Sequence, residues 1–494
     1  MTVSARRFHL RPLAMLTLGL LLGGCTLGPD YRRPELALGS AFKQAEGWKS
    51  AAPGDLLARG PWWSLYGDAE LDALVARLEL SNQNLAAAEA QYRQARALVR
   101  SARSQLFPSV SGSASATRSG QGSGSQGTTG ASGISESYQL GLDAAWEVDL
   151  WGRLRRNLEA SRADMQASAA DLAALRLSLQ AELVQTYLQL RVMDAQQRLL
   201  DQTVDAYARS LRLTENQYRA GIVPKSDVAQ ARTQLKQTQA QAIDLQWQRA
   251  QFEHAIAVLV GVPPSELDLA RREGIPQLPQ LPQLPVALPS QLLERRPDVA
   301  AAERNVMAAN AEIGIAKTAW FPDLTLSASG GYRNSAWSNL VEVPNRFWSL
   351  GPQLAVTLLD FGARRAEVER AEAAYDQTVA SYRQTVLDGL REVEDALVQL
   401  RVLDEEVGVQ REALESAQES LRLIENQYRA GMVDFLSVAT VQTTALNNER
   451  THLGLLGDRL LASVQLIAAL GGGWDSSRLE DPALTTGSSQ GQTR

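Results

Sequence analysis

The sequence predicts an α+β chain built as two internal repeats, in which long helices alternate with short strands that can close only together with strands from other copies. Three observations carry this. The block Leu211 to Val223, L-R-L-T-E-N-Q-Y-R-A-G-I-V, returns at Leu421 as L-R-L-I-E-N-Q-Y-R-A-G-M-V, 210 residues later. A repeat that long excludes short solenoid periods and indicates a duplicated architecture. The stretch from Arg153 to Ala220 holds neither glycine nor proline, so a helix through it could run on the order of 100 Å. From Tyr138 to Leu150 the apolar period changes from 3.6 to 2, with Tyr138, Leu140, Leu142, Ala144, Trp146, Val148 and Leu150 on one side, which is the pattern of a strand with one oily and one wet face.

Taken in chain order, residues 1–24 read as an export signal. Arg6, Arg7 and Arg11 precede an apolar run from Leu13 to Leu22, too short for a bilayer-spanning helix of roughly 20 residues. Leu22-Gly-Gly-Cys25 resembles a bacterial lipobox, and Cys25 is the only cysteine of the chain. A disulfide framework is thereby excluded, and Cys25 is expected to carry a covalent lipid, with Thr26 behind it favouring the outer membrane. Removal of the signal, with its three arginines and no acid, takes the net charge from −6 to −9, which argues against nucleic acid, since phosphate binding requires a basic face.

Residues 25–67 form an N-terminal lipidated segment and equatorial region. The first repeat, 68–275, comprises a helix over Asp68 to Leu106, strands at about 108–118 and 138–150, and long helices meeting at a hairpin turn near 221. A proline-rich connector, 276–288, contains Q-L-P-Q-L-P-Q-L-P and excludes a helix. The second repeat, 289–473, has a helix, strands at about 322–334 and 347–359, and long helices meeting at a hairpin turn near 431. Residues 474–494 are a polar tail, expected to be loosely ordered. Leu85-Ala-Ala-Ala-Glu89 leading to Phe107-Pro108 is matched by Val299-Ala-Ala-Ala-Glu303 leading to Phe321-Pro322. Gly221 and Gly431 can each supply the left-handed conformation that ends a helix.

Four strands cannot close a transmembrane barrel, whose smallest form has eight. Two copies would give eight strands and a filled interior, and three would give twelve and an aqueous lumen. Asp143, Glu147 and Asp149 fall on the wet face, which predicts an acidic, cation-favouring pore. Enzyme motifs are missing: His254 and His452 are isolated on helices, and Gly471-Gly-Gly473 follows a helix where phosphate-binding loops precede one.

Cys25-Thr-Leu-Gly-Pro-Asp-Tyr31, Leu292-Leu-Glu-Arg-Arg-Pro-Asp-Val-Ala-Ala-Ala-Glu303, the twin Asn-Gln-Tyr-Arg-Ala-Gly turns, Leu359-Asp-Phe-Gly362 and Ala469-Leu-Gly-Gly-Gly-Trp474 resemble lipoprotein members of the TolC-like outer-membrane factor family. The resemblance implies a homotrimer with a twelve-stranded barrel in outer-membrane lipid, a long periplasmic α-helical barrel, and docking to a periplasmic adaptor and an inner-membrane pump of the resistance-nodulation-division class. It implies an exit duct for drugs or other toxic compounds. Type I protein secretion or heavy-metal efflux would use the same duct, and a non-conducting coiled-coil lipoprotein is the reading of another class. No cofactor beyond the lipid is implied.

Such a duct needs a gate at its helical tips. By resemblance, Asp227 matches a family aspartate, and Leu436, Ser437 and Thr440 stand where relatives often have a leucine and one or two aspartates. Ser437 and Thr440 depart from that pattern, so the expected gate is an apolar iris at Leu436 supported by Asp227 and Arg232. The turns Arg219, Ala220, Gly221 and Arg429, Ala430, Gly431 are the expected adaptor contacts.

Overall fold

The structure is a computed structural model that describes residues 26–35, 42–43, 61–120, 134–271 and 295–480. The expected signal segment, Cys25, the proline-rich connector and residues 481–494 lie outside the described residues. Among those described, seven α-helices and four strands run in the order α1 (Ala69–Ser81), α2 (Gln83–Ser104), β1 (Ser109–Gly120), β2 (Ile134–Val148), α3 (Arg153–Arg219), α4 (Lys225–Leu259), α5 (Pro297–Thr318), β3 (Asp323–Asn334), β4 (Arg346–Ala355), α6 (Ala363–Arg429) and α7 (Phe435–Ala469). The duplication is visible in the helix lengths: α3 and α6 both have 67 residues, α4 and α7 both 35, α2 and α5 both 22. No helix among the described residues is long and apolar enough to cross a membrane.

Two compact units emerge. One comprises residues 1–35, 92–168 and 302–382, the other 36–91, 169–301 and 383–494.

The first unit holds an antiparallel sheet in the order β1-β2-β3-β4, with Ser109 opposite Ala145, Ala145 opposite Ser327, and Ser327 opposite Gly351. Trp146, Leu140 and Leu142 of β2 share their face with Leu326 of β3 and Trp348, Leu350 and Leu354 of β4, and these six side chains of β2 and β4 are exposed. The indole of Trp151 donates to the Pro322 carbonyl at 2.9 Å and that of Trp146 to the Leu106 carbonyl at 3.1 Å, which fixes the helix-to-strand corners at the two Phe-Pro steps.

Strand limits differ from the alternation. β2 starts at Ile134, ahead of the expected 138, because Ile134 to Ser137 still pair with Thr117 to Gly120. It stops at Val148, because Asp149 beyond it accepts from the backbone N–H of Leu154 and Arg155 at 3.1 and 2.9 Å and so caps α3. β4 stops at Ala355, short of the expected 359, because its partner β3 begins only at Asp323, behind Pro322, which has no N–H to donate.

The same unit binds residues 27–33. Arg156, almost fully buried, donates to the Leu27 carbonyl and to Asp30 at 3.1 and 3.2 Å. Asn310 donates to the Pro29 carbonyl at 2.9 Å, and Tyr31 and Arg33 both reach Glu303. Gly28, at φ 99°, lies so close to Gly314 that a Cβ would stand 2.5 Å from its Cα, so only glycine fits. Residues 26–35 thus belong with the sheet-bearing unit.

The second unit has the larger apolar core. Leu183, Tyr187, Leu190, Val393, Leu397 and Ile467 are among its buried members, each side chain contributing about 1.5–3 kcal/mol by leaving water. The helix expected over 68–106 breaks at Asn82, whose side chain accepts from Leu85 N–H at 3.0 Å and donates to the Leu259 carbonyl at 2.8 Å. Buried Asp194 joins Arg191 and Arg249, which hold the carbonyls of Ala270 and Leu269. The tail is ordered farther than its polarity suggests: Trp474 and Leu479 are buried against Ala170, Ala300 and Ala301.

Candidate functional site

The two hairpin turns are built alike. Gly221 and Gly431 both take φ 74°, and Ile222 N–H reaches the Gln217 carbonyl at 2.9 Å just as Met432 N–H reaches Gln427 at 2.9 Å. These bonds satisfy carbonyls that the helix end leaves open. Arg219, Ala220, Gly221, Arg429, Ala430 and Gly431 are all exposed.

The helices that leave the two turns begin differently. α4 starts behind Pro224 with no side-chain cap, whereas α7 starts behind Asp434, which accepts from Ser437 N–H and Oγ at 3.0 and 2.6 Å. The bonds from Ser437 hold the Asp434 carboxyl below the usual carboxylate range, since they favour its charged form. Thr440 Oγ1 donates to the Leu436 carbonyl at 2.9 Å. The hydroxyls of Ser437 and Thr440 are therefore engaged within their own helix, and Leu436 is left as the exposed apolar side chain of that turn, 55% accessible.

Asp227 accepts from Ser226 Oγ at 3.3 Å. Arg232 turns to Glu215 of α3, 3.0 Å away, so it braces the hairpin from helix to helix. In the second repeat Gln442 makes the same crossing to Glu425 at 3.3 Å, displaced by the same 210 residues.

Tyr428, the tyrosine of the second repeated turn and not among the expected site residues, joins the hairpins. Its hydroxyl donates to Gln217 Oε1 at 2.7 Å and lies 3.3 Å from Thr214 Oγ1, while its ring meets Phe435 edge-on with centroids 5.9 Å apart. Gln234 adds a bond to the Ala439 carbonyl at 3.4 Å. Burial pushes the Tyr428 hydroxyl above the ordinary tyrosine range, the bond from Thr214 pulls it back, and the Asp227 carboxylate raises it further. The repeat offset was the signal available: comparing Tyr218 with Tyr428 position by position would have singled out Phe435 opposite Lys225.

On the sheet, Asp143 is exposed and accepts from Ser113 Oγ at 3.4 Å. Glu147 is bound by Arg153 through two bonds, the shorter 2.5 Å, and Asp149, past the strand end, by Arg155 at 3.1 Å. Two of the three acids thus face an arginine, and Asp143 accepts from the Ser113 hydroxyl. Neither arginine was foreseen, although both lie within six residues of their partners.

A family described as outer membrane efflux protein matches residues 74–262 and 288–472, the two repeats with the connector left between them. The chain is 33% identical over 475 residues to the pyoverdine export outer membrane protein OpmQ of Pseudomonas aeruginosa, covering 95% of this chain and 98% of that protein. It is 30% identical to the probable efflux pump outer membrane protein TtgC of Pseudomonas putida, covering 94% and 95%. The solved outer-membrane channel OprN superimposes with a TM-score of 0.83 at 34% identity over 91% of this chain and 100% of that one. The chain therefore belongs to the outer membrane efflux protein family, the non-enzymatic TolC-like channels of the bacterial outer membrane that extend into the periplasm and serve tripartite efflux pumps.

Proposed function

We propose that three copies of this chain join their sheets into one twelve-stranded barrel and that the resulting duct expels drugs or other toxic small molecules. A periplasmic adaptor and an inner-membrane pump of the resistance-nodulation-division class would supply them. The observation that carries this reading is the open sheet: β1 and β4 are both edges, and bare strand edges are not tolerated in hydrocarbon. Twelve strands leave an aqueous lumen where eight would fill with side chains. Relatives named for pyoverdine export and for efflux pumps support small-molecule cargo. Deleting the gene should sensitise cells to such compounds, and restored export on complementation is the readout; unchanged sensitivity in a strain lacking other such channels would refute the cargo.

In this reading Cys25 carries the lipid. Its neighbour Thr26 packs against Gly152, within 3.0 Å of the position a Cβ would take, so the acyl chains would enter the membrane beside the β2–α3 corner. The exposed turns Arg219 to Gly221 and Arg429 to Gly431 present two near-identical sites per chain for adaptor hairpins. The gate is the exposed Leu436, seated by the Asp434 cap and by the Tyr428–Gln217 tie, with Asp227 as its supporting acid. Arg232 enters as a brace on Glu215. Leu436→Ala should raise the resting conductance of the reconstituted channel, and closed-state leakage equal to the unsubstituted protein would remove the iris. Asp143 leaves the wet face weakly acidic, and a measured anion preference would contradict a cation-favouring pore.

A further inference from the structure

We propose that the seam between neighbouring copies is an outer-face aromatic plug, in which Trp348 of one copy fills a cavity of the next. Such a seam rests on the shared twelve-stranded barrel. The cavity, about 560 Å³, lies between β1, β2 and the segment after β3, with Ala114, Ala116, Leu140, Trp337, Leu340 and Val341 among its lining. Trp337 anchors it by stacking edge-on against Tyr138, centroids 5.8 Å apart. Trp348 is 76% exposed at the start of β4.

Geometry selects the partner. Four strands spaced about 4.8 Å span ~19 Å of circumference. A tilt of about 35–45° then displaces the next copy along the strands by ~13–19 Å, which is roughly four to six residues. Displacement toward the end of β4 keeps the edges overlapping; the opposite sense would set most of β1 beside the β3–β4 connection. Within the chain Ser109 is level with Gly351 through Ala145 and Ser327. A one-residue slip would turn every outward side chain inward, so the displacement is even. Ser109 of one copy then faces Ala355 or Thr357 of its neighbour.

The Ala355 register pairs all ten residues of β4 with Ser109 to Arg118. It sets Trp348 opposite Ala116, Leu350 opposite Ala114, Pro352 opposite Gly112 and Leu354 opposite Val110. Side chains directly opposite in an antiparallel pair stand about 4.5–5.5 Å apart, so Trp348 and Leu350, the bulky residues nearest the cavity, both meet alanines on β1, and Trp348 arrives at the cavity rim. The alternative register would put Trp348 against Arg118 and leave the cavity to a smaller leucine. Size complementarity along the edge and the unfilled volume therefore favour the same displacement.

The test uses the full-length channel in outer-membrane preparations. Ser115→Cys/Ser349→Cys places two small wet-face residues opposite each other in this register, and Cys25 is the only native cysteine. Oxidation should convert most of the chain to covalent dimers and trimers on denaturing gels, while Thr117→Cys/Ser349→Cys should stay uncoupled. Trp348→Ala should lose the heat-resistant oligomer band at temperatures where the unsubstituted protein keeps it, and Trp348→Phe should regain it. A particle that sizes as a trimer but couples only through Thr117→Cys/Ser349→Cys, or through neither pair, overturns the seam and leaves the shared barrel standing. So does a Trp348→Ala channel as heat-resistant as its parent. A particle that sizes as a monomer overturns both readings.

Discussion

Tyr218 and Tyr428 occupy the same place in two copies of one turn sequence, yet Tyr218 is 44% exposed and Tyr428 6%. The backbone around them is the same to within a tenth of an ångström in the bonds that close each turn. The difference comes from what stands opposite. Phe435 and Val438 of α7, with Ala231 of α4, pack on Tyr428, and the residue corresponding to Phe435 in the first repeat is Lys225. A chain with two repeats has one internal repeat-to-repeat contact and leaves the equivalent outward face open. Duplication therefore copies local geometry faithfully and burial only once per chain.

The largest expected effect tests the bridge itself. Tyr428→Ala removes a buried aromatic, a loss of about 3–5 kcal/mol, and because Tyr428 bonds Gln217 of the other hairpin, it should speed amide exchange in both 211–223 and 421–433. Tyr218→Ala should speed exchange in 211–223 alone. If the two variants loosen the same segments to the same degree, the contrast between the hairpins is broken.

A smaller effect should be equal on the two sides. A Cβ at Gly221 or Gly431 would meet nothing within 4 Å, so Gly221→Ala and Gly431→Ala carry only the left-handed backbone strain, about 1–2 kcal/mol each. Matching shifts in thermal unfolding are expected. Unequal shifts would mean that the turns are not equivalent.

The smallest effect is a pH dependence that is stronger in the second hairpin. Asp434 has its carboxyl depressed by the bonds from Ser437, so its contribution is present above the ordinary aspartate range near ~4 and is lost as pH falls through the depressed value. Pro224 has no carboxyl to titrate. Amide exchange at the start of α7 should therefore rise below about pH 4 by more than at the start of α4, whose first turn carries Asp227 but no side-chain cap, and Asp434→Asn should abolish the difference. A parallel response of the two helices would remove the role given to Asp434.

Much of the fold could be read from pattern because it is local. The absence of glycine and proline between Arg153 and Ala220, the glycine that ends each long helix and the two-residue period around Tyr138 act within a few residues of themselves. Leu179, Leu183, Tyr187 and Leu190, spaced by threes and fours, are all buried in the core. The features that escaped depend on distant partners. Asn82 interrupts a run without breakers because the Leu259 carbonyl, 177 residues away, receives its amide. Tyr428 finds Gln217 at a separation of 211 residues. The arginine partners of Glu147 and Asp149 are nearby in sequence, but only the strand-to-helix corner at Gly152, φ 86°, folds them back onto those acids.

That the chain is a duplicated assembly of long helices and four strands with glycine-ended hairpins could be read from its residues alone, since helix continuity, strand alternation and left-handed turns are properties of neighbouring residues. Which of two equivalent tyrosines is buried, where β4 runs out of partner and which acids meet an arginine were settled by packing across the folded chain. Those outcomes depend on contacts between segments far apart in the chain, whose relative placement no local pattern encodes.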